Sequence, residues 1–234
     1  IFKEEAWLNE QIKECDVLLP LIGIARPAYY ITRPLWTFEL DFEQNLKDSK
    51  LRILFAQGFI LMGCLVTVFN YISYHLLESP FHLSQTWIGL ISIAYLAGIY
   101  SSPKAARWGY QYGRAKVLPF LLFSMMVGLF ITLIPSLWAI LLGLTIFTFS
   151  FFAAHSTASS WVSVQAVQYR AVASSLYLFC YYIGSSLLGS SGGLVWEHFG
   201  WIGINLSVGV VLVIGFALAI HLMKNETKTT NKVA

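Results

Sequence analysis

The sequence is poor in charged residues. Asp, Glu, Lys and Arg together make up 12% of the 234 residues, whereas hydrophobic residues make up 57%. A soluble domain usually carries about 25% charged residues, so this composition argues against one and predicts a membrane protein. Acidic residues are scarcest after residue 50, where only Glu78, Glu197 and Glu226 remain of the twelve in the chain. The change in composition predicts a boundary near residue 50.

Cysteine and the common catalytic motifs are also scarce. The three cysteines, Cys15, Cys64 and Cys180, lie far apart, and the last two fall inside apolar runs, which favours buried hydrophobes over a disulfide. The five histidines and three cysteines never approach the spacing of metal ligands. Neither a phosphate-binding glycine loop nor a Ser/His/Asp pattern occurs. The sequence therefore predicts no metal, no cofactor, no catalytic residue and no enzyme activity.

Residues 1–50 mix short apolar and charged stretches and predict a small cytoplasmic α/β segment. The run ECDVLLPLIGIARPAYYITRPLWTFELDFEQNLK resembles an internal part of the extended short-chain dehydrogenase/reductases. The closest resemblance, over residues 10–47, is to the UDP-glucuronic acid decarboxylase domain of bifunctional polymyxin-resistance enzymes. No G-x-x-G-x-x-G loop precedes the run, and no Tyr-x-x-x-Lys pair follows before the chain turns apolar. The segment is interpreted as a non-catalytic remnant. The alternative is a membrane-anchored fragment of a nucleotide-sugar decarboxylase or epimerase.

Six apolar runs follow residue 51, and a membrane-spanning helix needs about 20 residues. They are Ile53–Leu77, Trp87–Ser102, Val117–Ile134, Leu137–Ala154, Val172–Leu194 and Ile202–Met223. The short second run becomes long enough if Ser84 caps it and Ala105–Ala106 extend it. Only Pro135 and Ser136 separate the third and fourth runs, which predicts a tight antiparallel hairpin. The predicted fold is an all-α integral membrane bundle of six transmembrane helices over residues 51–234, preceded by the α/β segment.

The basic residues predict the orientation of these helices. The loop Lys104–Lys116 carries four cations and no acid, and a Lys or Arg at the bilayer centre costs roughly 2.5–3.5 kcal/mol. With six spans, all eleven Lys and Arg residues from Lys47 onward fall on one side and none on the other. The positive-inside rule then predicts that both termini are cytoplasmic. Because topology explains these cations, no nucleic-acid partner is predicted.

A second resemblance is carried by the loop RWGYQYGRAKV and the glycine-rich run YRAVASSLYLFCYYIGSSLLGSSGGLVWEHFGWIGI. With six helices and both ends inside, these stretches resemble the C-terminal half of a bacterial efflux-type transporter of the major facilitator superfamily, over residues 51–223. The resemblance implies export of small solutes across the bacterial inner membrane by alternating access. It also implies three kinds of partner: the lipid bilayer, a small-molecule substrate, and a second six-helix half or another copy. The chain alone is expected not to transport.

The basic loop matches the family motif only in part. Gly113, Arg114 and Lys116 stand where the motif G-x-L-A-D-R-x-G-R-(R/K) has its last conserved residues. Tyr110 and Gln111 replace its Asp and Arg. The resemblance therefore implies the loop but not the ion pair that the family builds in it.

Small residues recur every four positions on the second and fifth runs and predict close helix packing. They are Ala94, Gly98 and Ser102 on the second run, and Ser185, Gly189 and Gly193 on the fifth. Static packing and sliding contacts between moving bundles both account for this spacing.

Polar residues inside the runs are the candidate lining of a substrate cavity, because polar side chains in a membrane usually face a bundle interior. They are Gln57, Asn70, Tyr95, Thr145, Thr148, His155, Tyr177 and Tyr181. No Asp, Glu, Lys or Arg lies in the middle of any run. His155 is then either a hydrogen-bonded structural residue or a proton relay. A tyrosine-rich lining without carboxylates favours a neutral or weakly polar solute.

Overall fold

A computed structural model describes residues 42–166 and 170–226, together with the helical backbone of residues 227–233. These residues are almost entirely helical, and none of them forms a β-strand. The prediction of a helical membrane bundle is confirmed for this part of the chain. The predicted α/β segment falls mainly on residues outside the described ones. Of that segment, residues 42–47 and 49–50 are described as helical.

The helices follow one another through short connections. They are α1 (Ser49–Leu77), α2 (Gln85–Leu90), α3 (Leu96–Trp108), α4 (Arg114–Ile131), α5 (Leu137–Gln165) and α6 (Arg170–Val233). A 3-10 stretch, Ile91–Tyr95, joins α2 to α3, and a π-helical turn, Gly109–Gly113, joins α3 to α4. Ser84 occupies the N-cap position of α2 as predicted, but its side chain makes no capping hydrogen bond. The predicted hairpin at Pro135–Ser136 joins α4 to α5.

Two glycines with positive φ angles mark sharp changes of direction. Gly113 has φ 86° immediately before α4, and Gly200 has φ 55° inside α6. Glycine adopts this region readily because it has no Cβ. Gly200 divides α6 into two arms, called here α6a (residues 170–199) and α6b (residues 201–233).

The contacts of α1 show that the two arms of α6 run in opposite directions. Residue numbers rise together along α1 and α6a, whereas they run in opposite order along α1 and α6b. The contacting pairs are Phe59–Gly184, Tyr71–Gly192, His75–Trp201 and Gln57–Gly215. α1 therefore lies between two antiparallel arms.

Polar contacts join distant segments at the end of the bundle where α1 begins. Asp48 caps α1, because its Oδ1 accepts from the backbone N–H of Lys50 at 2.8 Å. Its Oδ2 accepts from Nε2 of Gln165, at the end of α5, also at 2.8 Å. Nζ of Lys50 lies 2.5 Å from a carboxylate oxygen of Glu226 on α6b. The start of α1 therefore meets the end of α5 and α6b at one end of the bundle. It is called here the basic end, because Lys50, Arg114 and Lys116 lie there.

The surface of the bundle is apolar over most of its length. Within the part of the chain that the structure describes, four helical stretches are long and apolar enough to cross a membrane: Ser49–Leu77, Gln85–Ile131, Leu137–Gln165 and Arg170–Glu226. Two of these contain the turns at Gly113 and Gly200. The exposed large side chains include Trp87, Ile93, Leu96, Ile99, Phe120, Phe123, Leu187, Leu194, Phe199, Ile202, Val210 and Ile214. A soluble monomer rarely exposes so large an apolar surface, whereas a membrane protein presents one to lipid.

Candidate functional site: a histidine–tyrosine cluster beside a serine-lined cavity

His155 on α5 lies in a cluster of aromatic rings shared with α6a. Its Nδ1 is 3.0 Å from the hydroxyl oxygen of Tyr177, and the tautomer of the ring decides which of the two groups donates. Its ring centre is 4.8 Å from that of Tyr181 and is stacked on Phe151 at 6.1 Å. Tyr177 and Tyr181 share a face of α6a because they are one helical turn apart.

Tyr177 fills a space that depends on a glycine of α1. The tyrosine is 1% exposed, and a Cβ added at Gly58 would lie only 2.9 Å from its Cε2 atom. Tyr177 therefore packs on the bare backbone of α1, which holds its hydroxyl against His155.

Tyr95 joins the same aromatic layer from the 3-10 stretch. Its ring centre is 4.7 Å from that of Phe69 and 5.9 Å from that of Phe152. Phe152 lies edge-on to Phe151 at 5.0 Å, and Phe151 stacks on His155. The structure thus brings together four of the residues predicted as lining: Tyr95, His155, Tyr177 and Tyr181.

An open polar cavity of about 390 Å³ begins at this cluster. It is lined by His155, Ser156, Ser159, Ser160, Val162, Ser163, Ser174, Tyr177 and Leu178. The four serines of α5 recur at spacings of three, one and three residues, so they occupy one face of the helix. Sequence reasoning missed these serines, although their helical spacing was readable in HSTASSWVS. Only His155 and Tyr177 of the predicted lining border this cavity.

The serine hydroxyls donate their hydrogens to backbone carbonyls. Ser156 donates to the carbonyl of Ser102 on α3 at 3.3 Å, and Ser163 donates to the carbonyl of Ser159 at 3.3 Å. Ser160 donates to the carbonyl of Thr157 at 3.0 Å and accepts from Nε of Arg114 at 3.2 Å. Since each hydroxyl has one hydrogen and two lone pairs, these serines can still accept hydrogen bonds.

The other predicted lining residues lie elsewhere. Gln57 is fully buried and donates through Nε2 to the carbonyl of Gly215 at 2.7 Å. Thr148 is also fully buried, and its Oγ1 has no hydrogen-bond partner among the described residues. Asn70 is exposed on α1. Thr145 borders an apolar groove of about 480 Å³ between the α2 region and α5, and donates within its own helix.

The close contact between α1 and α6a is centred on glycines. A Cβ added at Gly184 would lie 2.1 Å from the carbonyl oxygen of Phe59, and one at Gly192 would lie 2.4 Å from the ring of Tyr71. Of the predicted packing residues, Gly189 lies in this contact, against Val66. The face in contact contains Gly184, Gly189 and Gly192, whereas Ser185 and Gly193 lie beside it, half-buried.

The predicted packing residues of the second run lie near α5. A Cβ added at Gly98 would come within 2.4 Å of the Phe152 ring, which joins this contact to the aromatic cluster. Ala94 borders the apolar groove between the 3-10 stretch and α5. Ser102 accepts a hydrogen bond from Ser156 through its carbonyl.

A hydrogen bond joins the basic turn between α3 and α4 to the serine face of α5. Gly113 makes the turn with its positive φ angle, and Arg114 begins α4 and bonds Ser160 of α5. Lys116 is exposed. Of the residues matched to the loop motif, Arg114 is therefore the one in contact with the cavity wall.

Comparison with known proteins gives two separate similarities. Residues 53–234 match the model of the Major Facilitator Superfamily. An uncharacterized transporter of Buchnera aphidicola subsp. Schizaphis graminum is 47% identical over 208 residues, which cover 89% of this chain and 50% of that protein. The inner membrane transport protein YnfM of Escherichia coli K12 is 47% identical over 186 residues, which cover 80% of this chain and 45% of that protein. The chain spans about half the length of these relatives.

The second similarity is shorter. The bifunctional polymyxin resistance protein ArnA of Wigglesworthia glossinidia brevipalpis is 46% identical over 54 residues, which cover 23% of this chain and 8% of that protein. This agrees with the resemblance noted for the first residues. It does not favour the alternative of an enzyme fragment, because the family match covers most of the chain and the relatives that match it there are named as transporters. The chain belongs to the Major Facilitator Superfamily of membrane transporters.

Proposed function

We propose that this chain forms one six-helix bundle of a small-solute exporter of the bacterial inner membrane. The bundle works by alternating access against a second bundle of the same kind. The second bundle belongs to a longer polypeptide that includes this one, to a separate chain, or to another copy. The observation that carries the proposal is the polar cavity beside His155, in a bundle whose remaining surface is largely apolar.

The cavity cannot face lipid without cost. Polar groups inside a membrane are tolerated where they face protein or a water-filled space, because hydrocarbon offers no hydrogen-bond partners. The serine face of α5 is open, and its hydroxyls retain acceptor capacity. A second bundle placed over this face would enclose a polar route that starts at the basic end and reaches His155 and Tyr177. Such a route suits neutral solutes that donate hydrogen bonds.

Accessibility of single cysteines tests the route. In the complete transporter in native membranes, Ser163→Cys is expected to react with a water-soluble thiol reagent and to be protected by transported solute. Ser150→Cys is the matched control on α5, because Ser150 is buried and its hydroxyl bonds that of Ser124 at 2.8 Å. Equal labelling of the two cysteines would refute an aqueous route along the serine face.

The proposed topology has six passes, with the basic end and both termini in the cytoplasm. Two of the four long helical stretches each cross twice, turning at Gly113 and at Gly200. Reporters fused within residues 79–84 are expected to be periplasmic, and reporters within residues 104–116 cytoplasmic. A cytoplasmic reporter in residues 79–84 would refute this arrangement.

The proposal also assigns different roles to the two parts of the chain. Residues 51–234 form the transporting bundle, and residues 1–50 are a non-catalytic remnant. The complete transporter in liposomes should show counterflow with one or more of a panel of labelled neutral solutes, whereas this chain alone should show none. Titration with NAD and with UDP-glucuronate should give no binding to residues 1–50. Counterflow by this chain alone, or binding of either nucleotide, would refute the corresponding part.

A further inference from the structure

A second polar cavity, of about 500 Å³, lies at the basic end of the bundle. It is separate from the serine-lined cavity and is enclosed by the start of α4, the end of α5 and α6b. The lining includes Tyr112, Arg114, Lys116, Trp161, Met223 and Glu226. The transport route proposed above does not use it.

The lining is rich in hydrogen-bond donors and positive charge. Arg114 commits only Nε to Ser160, so the remaining guanidinium donors are available. Lys116 is exposed and forms no ion pair with any residue that the structure describes. No side chain caps the N-terminus of α4, whose backbone N–H groups add positive partial charge at the same place.

Trp161 gives the cavity an apolar floor with one more donor. Its side chain is 5% exposed, and its indole N–H has no hydrogen-bond partner among the described residues. Since this N–H borders the cavity without a partner, it can donate a hydrogen bond to a ligand acceptor there. Val164 and Met223 add further apolar side chains to the lining.

The acid in this lining does not cancel the positive charge. Glu226 lies 2.5 Å from Nζ of Lys50, so its carboxylate is already offset by a cation at the cavity edge. Arg114 and Lys116 then remain as net positive charge facing the cavity. Two cations, an uncapped helix start and an indole donor over an apolar floor match an anion attached to an apolar body.

We propose that this cavity binds a phosphate ester, with the phosphate between Arg114 and Lys116 and the remainder of the ligand over Trp161. Two sources carry this chemistry, namely the headgroup of an anionic phospholipid and a soluble phosphate ester. Arg114 presents a planar fork of donors that suits two phosphate oxygens, and Lys116 supplies a point charge. The binding does not require that the chain transports anything.

Native mass spectrometry of the purified full chain in mixed micelles tests the proposal. The probes are phosphatidylglycerol, phosphatidylcholine as the comparator without net charge, and glycerol 3-phosphate as the soluble ester. The wild type is expected to retain phosphatidylglycerol over phosphatidylcholine, or to bind glycerol 3-phosphate. Lys116→Ala is expected to weaken that binding about fivefold, the change expected for loss of one cation near the ligand. Glu226→Gln is expected to strengthen it.

Lys104→Ala is the matched control, since it removes the same charge from the same basic stretch. Lys104 lies over the ring of Tyr100, 3.9 Å from its centre, and does not line the cavity. Lys104→Ala should leave binding unchanged. Trp161→Phe should weaken binding, because it removes the indole N–H and keeps only a smaller aromatic ring. Selective retention of phosphatidylglycerol assigns the site to lipid, and displacement of that lipid by glycerol 3-phosphate assigns it to a soluble ester. Equal losses in Lys104→Ala and Lys116→Ala, or no preference for either phosphate probe, would overturn the proposal.

Discussion

Substitution of Gly184 by Ala should separate α1 from α6a. The added Cβ would lie 2.1 Å from the carbonyl oxygen of Phe59 and 2.7 Å from its carbonyl carbon. Ordinary contact begins at 3.4 Å, so the two backbones would have to move apart by about 1.3 Å at this point. Neither partner is a flexible side-chain end that could turn away. The clash is between the substituted helix and the backbone of its neighbour.

The expected loss of stability is about 2 kcal/mol. Overpacking of a tight core costs typically 1–3 kcal/mol, and a clash with backbone belongs at the upper end of that range. Alanine recovers about 1 kcal/mol because its helix propensity exceeds that of glycine. The free energy of unfolding, measured by titration with a denaturing detergent and circular dichroism, should fall by the difference between these two terms.

Gly89→Ala is the matched control. Gly89 lies in α2, and a Cβ added there would meet nothing within 4 Å. This variant keeps the propensity gain without the clash, so its free energy of unfolding should rise by up to about 1 kcal/mol. The two alanine substitutions are therefore expected to have opposite signs. If Gly184→Ala proved as stable as the wild type, the inferred backbone contact between α1 and α6a would be wrong.

Two further substitutions test the buried polar residues by the same titration. Tyr177→Phe removes the hydroxyl that lies 3.0 Å from Nδ1 of His155, and should lower the free energy of unfolding by about 1 kcal/mol, because the half-buried ring of His155 loses a hydrogen-bond partner; an unchanged value would mean that this hydrogen bond is not formed in the folded protein. Thr148→Val should be neutral or stabilising, because the Oγ1 of Thr148 is buried without a partner among the described residues. Loss of transport by Thr148→Val at unchanged stability would instead place Thr148 in the substrate lining.

Hydropathy locates the helices, but hydrogen bonds at their ends decide where they stop. The apolar run starts at Ile53, but α1 begins at Ser49. It begins there because Asp48, which lies outside the run, caps the helix. The helix that contains the run Leu137–Ala154 continues to Gln165, whose side chain bonds Asp48 at the start of α1. The 3-10 stretch Ile91–Tyr95 was not predicted, since side-chain periodicity over five residues does not distinguish hydrogen-bonding registers.

Small residues predict that a helix packs closely, but not which register it uses. The spacing of four in Ser185, Gly189 and Gly193 suggested one face of α6a. The contact with α1 instead uses Gly184, Gly189 and Gly192, at spacings of five and three. Both sets lie on nearly the same side of a helix with 3.6 residues per turn. The carbonyl of Phe59 decides between them, and the position of a neighbouring backbone is not readable from one sequence.

Polarity within an apolar helix identifies residues that need a partner, and the partner decides their role. Gln57 lies opposite Gly215, whose carbonyl is accessible because no side chain covers it. Tyr71 bonds the carbonyl of Gly189 at 3.1 Å in the same way. A polar side chain that donates to a glycine carbonyl on the next helix thus has a packing role within the bundle, although the buried Oε1 of Gln57 has no partner among the described residues.

His155 differs from Gln57 and Tyr71 in its hydrogen-bond partner and in the polarity of the helix face around it. Its partner is the hydroxyl of Tyr177 and not a backbone carbonyl, so either side chain can be the donor of this hydrogen bond, depending on the tautomer of the histidine. The residues one, four, five and eight positions after His155 are all serines on the same helix face. One side of His155 therefore faces the open serine-lined cavity, and a residue with only a packing role does not need such a position. His155 thus differs from Gln57 because it bonds a side chain and lies on a polar helix face. The sequence alone shows the polar face, through the spacing of the serines, but it does not show the hydrogen-bond partner.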